Sequence, residues 1–373
     1  MKEQSVNYEF INNSEAGNDF IVSVGFLGGM TTKIFLINEE KAFQSNLAFG
    51  EFVVEYLKIL LPEYDFDVNV MQNYSALCYK VPKIDLIDSM LRIQEALIQT
   101  EWEEKAFRFI KSELLKKFRE DCKIPTYVAY ERAVEFANSN KSYTLEKREA
   151  DLTKITYEEL LECRNQLLVA RNFYFCCCGN TEHLDKSKLS TFSFDDRDWS
   201  VTLPMMDVDP YLKQDMMHQE PDMGEFCINI ITFDFIDVRV APLLKYWFLA
   251  LYQQFAEVPI FVISVDEADT SLICMEDDFV LYKESFRNPL KEEVFYRIRD
   301  ELFARYLQEL RNHPEIYTVE FVGLMANGVN VTEFLSWCCQ ASYETYLAFF
   351  RDFDSKVTEA VVVENKEMMT GGK

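Results

Sequence analysis

Apolar positions along this chain follow two rhythms that take turns, alternation over short runs and helical spacing over longer ones. Ile21–Phe26 alternates as a strand, Gly28 and Gly29 turn it, and Lys33–Asn38 is expected as its hairpin partner. A helix is predicted over 47–61, ending at Pro62. Asp67–Val81 reads as extended, with Val68, Val70, Tyr74 and Leu77 among its apolar positions. Asp85–Gln99 is amphipathic, Glu101–Glu120 is a more charged helix, and Pro125–Asn138 gives another. Thr156 opens a helix through Leu168, and Glu159, three residues on, completes a capping box. The strand Asn172–Cys178 closes this part at Gly179-Asn180.

Residues 181–222 have no sustained period and form the expected linker. The scheme then repeats. Glu225–Asp234 is a strand, Pro242–Ala256 a helix, and Val258–Val265 and Ser271–Tyr282 are strands. Leu290–Arg311 and Val331–Asp352 follow as helices, and Val357–Glu364 as the last strand. Thr156-Tyr157-Glu158-Glu159 before one closing strand is echoed by Thr332-Glu333-Phe334 before the other. The prediction is an α+β fold of two homologous lobes, 1–180 and 223–373. Each would hold a mostly antiparallel sheet covered by helices on one side.

Charge narrows the function. Thirty-eight basic against 63 acidic residues give a net charge of −25. Phosphate backbones and anionic lipid surfaces want the opposite sign, so neither nucleic acid nor membrane is an expected partner. The acidity serves solubility, or complements a cationic peptide or basic partner protein. No run of about 18–20 uninterrupted apolar residues marks a membrane span. Met1–Phe10 lacks a charged segment followed by an apolar one, so no secretory signal is visible and a cytoplasmic location is expected.

The ten cysteines include the consecutive Cys176, Cys177 and Cys178 on a strand, whose successive side chains point to opposite faces and cannot readily pair. With no C-x-x-C, they read as buried reduced thiols. His183 near Cys176–Cys178 invites a Cys-His nucleophile, which buried strand thiols disfavour. His183, His218 and His313 sit in loop contexts and read as surface residues. Gly25–Gly29 reads as a hairpin turn rather than a phosphate cradle, and Asp266–Asp269 as a solvated turn without the tight glycine of a calcium loop.

Leu47–Leu61 is similar to the metal helix of the insulinase-type zinc metallopeptidases, the family of pitrilysin and the mitochondrial processing peptidase. Its motif is H-x-x-E-H, and Phe52, Val53, Val54, Glu55 and Tyr56 stand in the five positions. Ala106–Leu114 resembles the downstream helix that supplies the third zinc ligand, with Glu113 in that place. The order of elements resembles one half of such a peptidase, in which two halves close around a peptide.

In active members two histidines and the distal glutamate hold zinc, and the motif glutamate is the general base. Here both imidazoles are gone. A phenyl ring cannot coordinate, a neutral phenol is a poor ligand, and Glu55 with Glu113 alone make a poor zinc site. The resemblance therefore implies no catalytic residue, no metal and no other cofactor, with Phe52, Glu55, Tyr56 and Glu113 as degenerate positions. It implies a non-catalytic subunit whose partner carries an intact H-x-x-E-H helix, the two forming a chamber for a peptide substrate. The length and the degenerate motif resemble the smaller subunit of pairs that mature subtilosin-type bacteriocin precursors. Leu251–Phe261 lacks the Arg–Tyr pair with which active family members grip substrate, so no substrate-binding residue is carried over. The alternatives are a structural core protein of a larger assembly, or an enzyme with an unrecognised site of its own.

Overall fold

The computed structural model describes residues 6–30, 34–38, 41–71, 74–98, 100–124, 127–128, 131, 144–169, 172–187, 189, 226–234, 242–256, 260–264, 269–274, 288–352 and 357–364. The first half runs β1 (Asn7–Asn12), β2 (Asp19–Leu27), β3 (Ile34–Asn38), β4 (Lys41–Gln44), α1 (Phe49–Leu60), β5 (Asp67–Val70) and β6 (Tyr74–Pro82). It continues with α2 (Leu86–Ile98), α3 (Glu104–Asp121), α4 (Leu145–Lys154), α5 (Tyr157–Leu167) and β7 (Phe173–Gly179). The second half runs β8 (Phe226–Asp234), α6 (Pro242–Ala256), β9 (Ile260–Ser264) and β10 (Asp269–Cys274). Then come α7 (Glu292–Asn312), α8 (Pro314–Ala326), α9 (Val331–Gln340), α10 (Tyr343–Asp352) and β11 (Val357–Glu364).

These elements form two compact units that are interleaved rather than consecutive. Unit 1 takes Met1–Leu115, Ala150–Pro204 and Arg305–Val331; unit 2 takes Lys116–Glu149, Met205–Ala304 and Thr332–Lys373. Two segments thus fall outside the half of the chain that contains them, 116–149 and 305–331. Most of the expected 181–222 linker lies outside the described residues, as do nearly all of Pro125–Asn138, His218 and Asp266–Ala268.

The sheet of unit 1 has the order β1-β7-β2-β6-β5, antiparallel except for the β1–β7 pair. Alternation along β2 sorts its neighbours. Phe20, Val22, Val24 and Phe26 share a face with Ser75, Leu77 and Tyr79 of β6, and this face receives α1 and α2. There Tyr79 Oη lies 3.0 Å from Ser89 Oγ on α2, and Ser75 Oγ donates to the Gly28 carbonyl at 2.7 Å. A Cβ on Gly50 would stand 2.1 Å from Ser75 Oγ, so only glycine lets α1 lie this close to the sheet. The opposite face, with Ser23 and Gly25, is covered by α8. Ser23 Oγ is 2.7 Å from Thr318 Oγ1, and a Cβ on Gly25 would meet Val322 Cγ1 at 2.0 Å.

The sheet is therefore covered by helices as expected, on both faces rather than one. Helix α8 was not foreseen because Ile316, Tyr317, Val319, Phe321, Val322 and Leu324 point all round it and leave no polar face to set a period. The expected β2–β3 hairpin is also corrected: β3 pairs with β4 in a separate two-stranded sheet, and β2 lies between β6 and β7. The expected Val331–Asp352 helix is two, broken at Ala341-Ser342, where Ser342 Oγ accepts from Thr345 N at 3.1 Å and starts α10.

Unit 2 holds the antiparallel sheet β11-β8-β10-β9. Its order matches β7-β2-β6-β5 of unit 1 strand for strand: the closing strand, the opening strand, then a hairpin reached through a helix, α1 in one and α6 in the other. The sequence echo was out of register by one helix. The helix just before β7 begins Thr156-Tyr157-Glu158, and the helix just before β11 begins Ser342-Tyr343-Glu344. The Thr156 capping box is formed, with Glu159 N donating to Thr156 Oγ1 at 3.1 Å and Thr156 N donating to Glu159 Oε2 at 3.4 Å.

Candidate functional site

Helix α1 turns Phe49, Phe52, Val53, Tyr56 and Leu57 inward, the spacing of a helix with one buried face. Its N-terminus is held by Asp151, whose carboxylate accepts from Leu47 N at 3.0 Å, and by the Asn46 side chain, which accepts from Ala48 N at 2.9 Å. A carboxylate is well placed where helix N–H groups are unsatisfied.

The two α1 positions that would carry imidazoles enter a cluster of rings. Phe52 is fully buried and stacks on Phe107 of α3, with centroids 5.3 Å apart. Tyr56 is 1% exposed and stacks on Trp102 at 4.4 Å, with the planes 12° apart. The Tyr56 hydroxyl donates to the Glu103 carbonyl at 2.9 Å. Burial pushes this phenol well above its ordinary range, and the Tyr157 phenol beside it adds to the shift, so Tyr56 is neutral at physiological pH. Tyr157, the first residue of α5, tilts against Phe107 at 5.9 Å and donates to the Trp102 carbonyl. Arg164 on the same helix lies over the Trp102 ring at 4.6 Å. Its guanidinium donates to the carbonyls of Leu97 at 2.8 Å and Thr100 at 2.7 Å, which satisfies acceptors at the end of α2.

The carboxylates stand elsewhere. Glu55 is partly exposed and pairs with Lys58 one turn on, at 2.8 Å. Glu113 is exposed on α3, off the buried line of Phe107, Ile110, Leu114 and Phe118. Zinc does not fit this donor set: the α1 positions offer a phenyl ring and a neutral phenol already engaged as a donor, and neither glutamate meets them.

The thiols and histidines build no second constellation among the described residues. Cys177 points toward α2 with Sγ 3.9 Å from Met90 Sδ, while Cys178 points to the other face, 3.9 Å from the Leu310 carbonyl. Burial pushes Cys178 up to about 11 and Cys163 up to about 12, which keeps both as thiols rather than nucleophilic thiolates. His183 occupies a turn with φ of 57°, and exposed His313 lies 3.5 Å from Glu315. Sequence reasoning missed Trp102, Tyr157 and Arg164. The signal was an aromatic pair five residues apart, Trp102 and Phe107, at the head of an otherwise charged helix.

Unit 1 is a sheet flanked by helices, and the order of four of its strands recurs strand for strand in unit 2. Solved structures share this fold at low sequence identity, proteins described as peptidases among them. A putative M16-like peptidase from Alicyclobacillus acidocaldarius superposes with a TM-score of 0.68 at 10% identity, over 96% of this chain and 95% of that one. The periplasmic protease PqqL from Escherichia coli gives 0.59 at 10% identity, over 98% of this chain but 47% of its own length. A chain of complex III2 from Candida albicans gives 0.59 at 11%, over 96% and 93%. No protein-family model matches the sequence, and no curated protein does.

Proposed function

We propose that this chain is a non-catalytic half of a two-part insulinase-like peptidase, one wall of a chamber that receives a peptide. The observation that carries the reading is the pair of buried rings, Phe52 and Tyr56, at the two helix positions where this fold's peptidases need imidazoles. A likeness that spans one chain of the Alicyclobacillus peptidase and about half of PqqL supports a half-sized role. The zinc helix would then come from a partner subunit with an intact H-x-x-E-H motif. Substrate would be gripped by main-chain hydrogen bonds along an outermost strand, for which β1 and β5 of unit 1 and β9 and β11 of unit 2 stand at the ends of the described sheets. The net charge of −25 suits a cationic peptide, and a bacteriocin precursor undergoing maturation in the cytoplasm is the substrate to test first.

The experiment is peptide cleavage by the purified chain with zinc supplied. The reading expects no chelator-sensitive cleavage from the chain alone and restoration when the partner is added. Chelator-sensitive cleavage by the chain alone would end it. The likeness to a chain of complex III2 favours a second reading, a structural core protein of a larger assembly. In that case no added subunit would yield cleavage.

A further inference from the structure

We propose that the junction of α1, α3 and α5 is an aromatic clasp that does the holding work of a metal centre, and that Phe107, not Glu113, is the α3 residue that meets Phe52, while Trp102 just before α3 meets Tyr56. The register follows from the packing. Phe107 is the residue whose ring lies against Phe52 at 5.3 Å, and it is 6% exposed. Glu113 lies six residues further along α3, exposed to solvent.

Unit 2 provides an independent observation, because it closes the corresponding junction by the same device. Trp102 precedes α3 by two residues and Leu290 precedes α7 by two. Five residues beyond each stands a buried phenylalanine, Phe107 in one unit and Phe295 in the other. The first residue of the closing helix is a tyrosine in both. Tyr157 donates to the Trp102 carbonyl, and Tyr343 donates to the Leu290 carbonyl at 2.8 Å. The ring contacts match as well, Phe107 to Tyr157 at 5.9 Å and Phe295 to Tyr343 at 5.7 Å. Helix α6, the counterpart of α1, sends Trp247 to within 6.1 Å of Phe295, as α1 sends Phe52 to Phe107. A ring-built closure used in both units is a fold-closing element. Its presence in unit 1 explains how α1 and α3 stay joined without a metal between them.

The consequence is a register that reversion can read. Returning imidazoles to the two α1 positions should leave the third ligand missing, because Glu113 is turned away. A carboxylate at position 107 should complete a three-ligand site. The full chain carrying F52H and Y56H is titrated with Co2+ beside the chain carrying F52H, Y56H and F107E. The expected result is a saturable visible band of four-coordinate Co2+ from the triple variant and none from the double. An equal band from the double variant, abolished by adding E113Q, would overturn the proposal.

These variants remove buried rings and could fail to fold, so a double-mutant cycle on the wild-type background decides in that case. Thermal midpoints are compared for Phe52→Leu, Phe107→Leu, Glu113→Ala and the two pairs that contain Phe52. The proposal expects the losses at 52 and 107 to be non-additive and those at 52 and 113 to add. The reverse pattern, or additivity in both, refutes it. Neither readout involves a peptidase partner, so failure here leaves the proposed function standing, and the converse holds.

Discussion

Phe52→Ala and Glu55→Ala lie three residues apart in the stretch that resembles a metal motif, and the fold assigns them very different consequences. Phe52 is fully buried and stacked on Phe107. Truncating a buried phenylalanine costs about 3–5 kcal/mol, from lost transfer energy and the cavity left behind. The stacking contributes roughly 0.5–1.5 kcal/mol of that loss. Glu55 contributes one partly exposed pair with Lys58 at 2.8 Å. Exposed pairs of this kind are worth at most about 1 kcal/mol, and less in salt. The two substitutions should therefore differ by roughly 2–5 kcal/mol, a large share of the ~5–15 kcal/mol that holds a domain folded. Urea titration followed by hydrogen exchange in β2 and β6 reads the stability of unit 1 directly. A Phe52→Ala loss below about 1 kcal/mol, or a Glu55→Ala loss equal to it, would refute the assignment of these positions to core and surface.

Other outcomes follow from the same packing. Gly25→Ala places a Cβ 2.0 Å from Val322 Cγ1 and should cost about 1–3 kcal/mol by overpacking, with Val322→Ala in the same chain recovering part of the loss in a melting experiment. Thr156→Ala removes the capping box of α5 and should cost about 1 kcal/mol, with α5 amides exchanging faster. Brief maleimide labelling of the native chain, mapped by mass spectrometry, should reach the half-buried Cys122 and Cys339 before Cys163, Cys176, Cys177 or Cys178. Stability should fall in alkali: Cys163 and Cys178 keep their protons in the fold up to about 12 and 11, while the unfolded chain loses them above about 9. The unfolded state then binds fewer protons, so stability drops by roughly 1.4 kcal/mol per pH unit for each thiol. Replacing both by alanine should flatten the slope between pH 9 and 11.

What could be read from sequence was what local chemistry decides. Thr156 with Glu159 marks a helix start because the cap is made within four residues, and α1 and α2 emerged because their apolar residues return at helical spacing. Long-range pairing could not be read this way. Nothing local tells β3 to pair with β4 rather than β2, or sends 305–331 to unit 1. Strand β1 was missed because Asn7, Glu9 and Asn12 dilute its pattern, as an outermost strand tolerates. At the candidate site, Phe52 and Tyr56 could be singled out together because both lie on one helix, four residues apart. The ring that meets Phe52 from α3 could not, because a shift along α3 changes which residue faces α1 without changing composition.

The most direct test of the central claim is to isolate the tagged chain from its native host and identify what accompanies it in stoichiometric amount. The account predicts a second insulinase-like subunit with an intact H-x-x-E-H helix, and a pair that cleaves peptide in a chelator-sensitive way. A chain recovered alone, or paired only with itself, would contradict it.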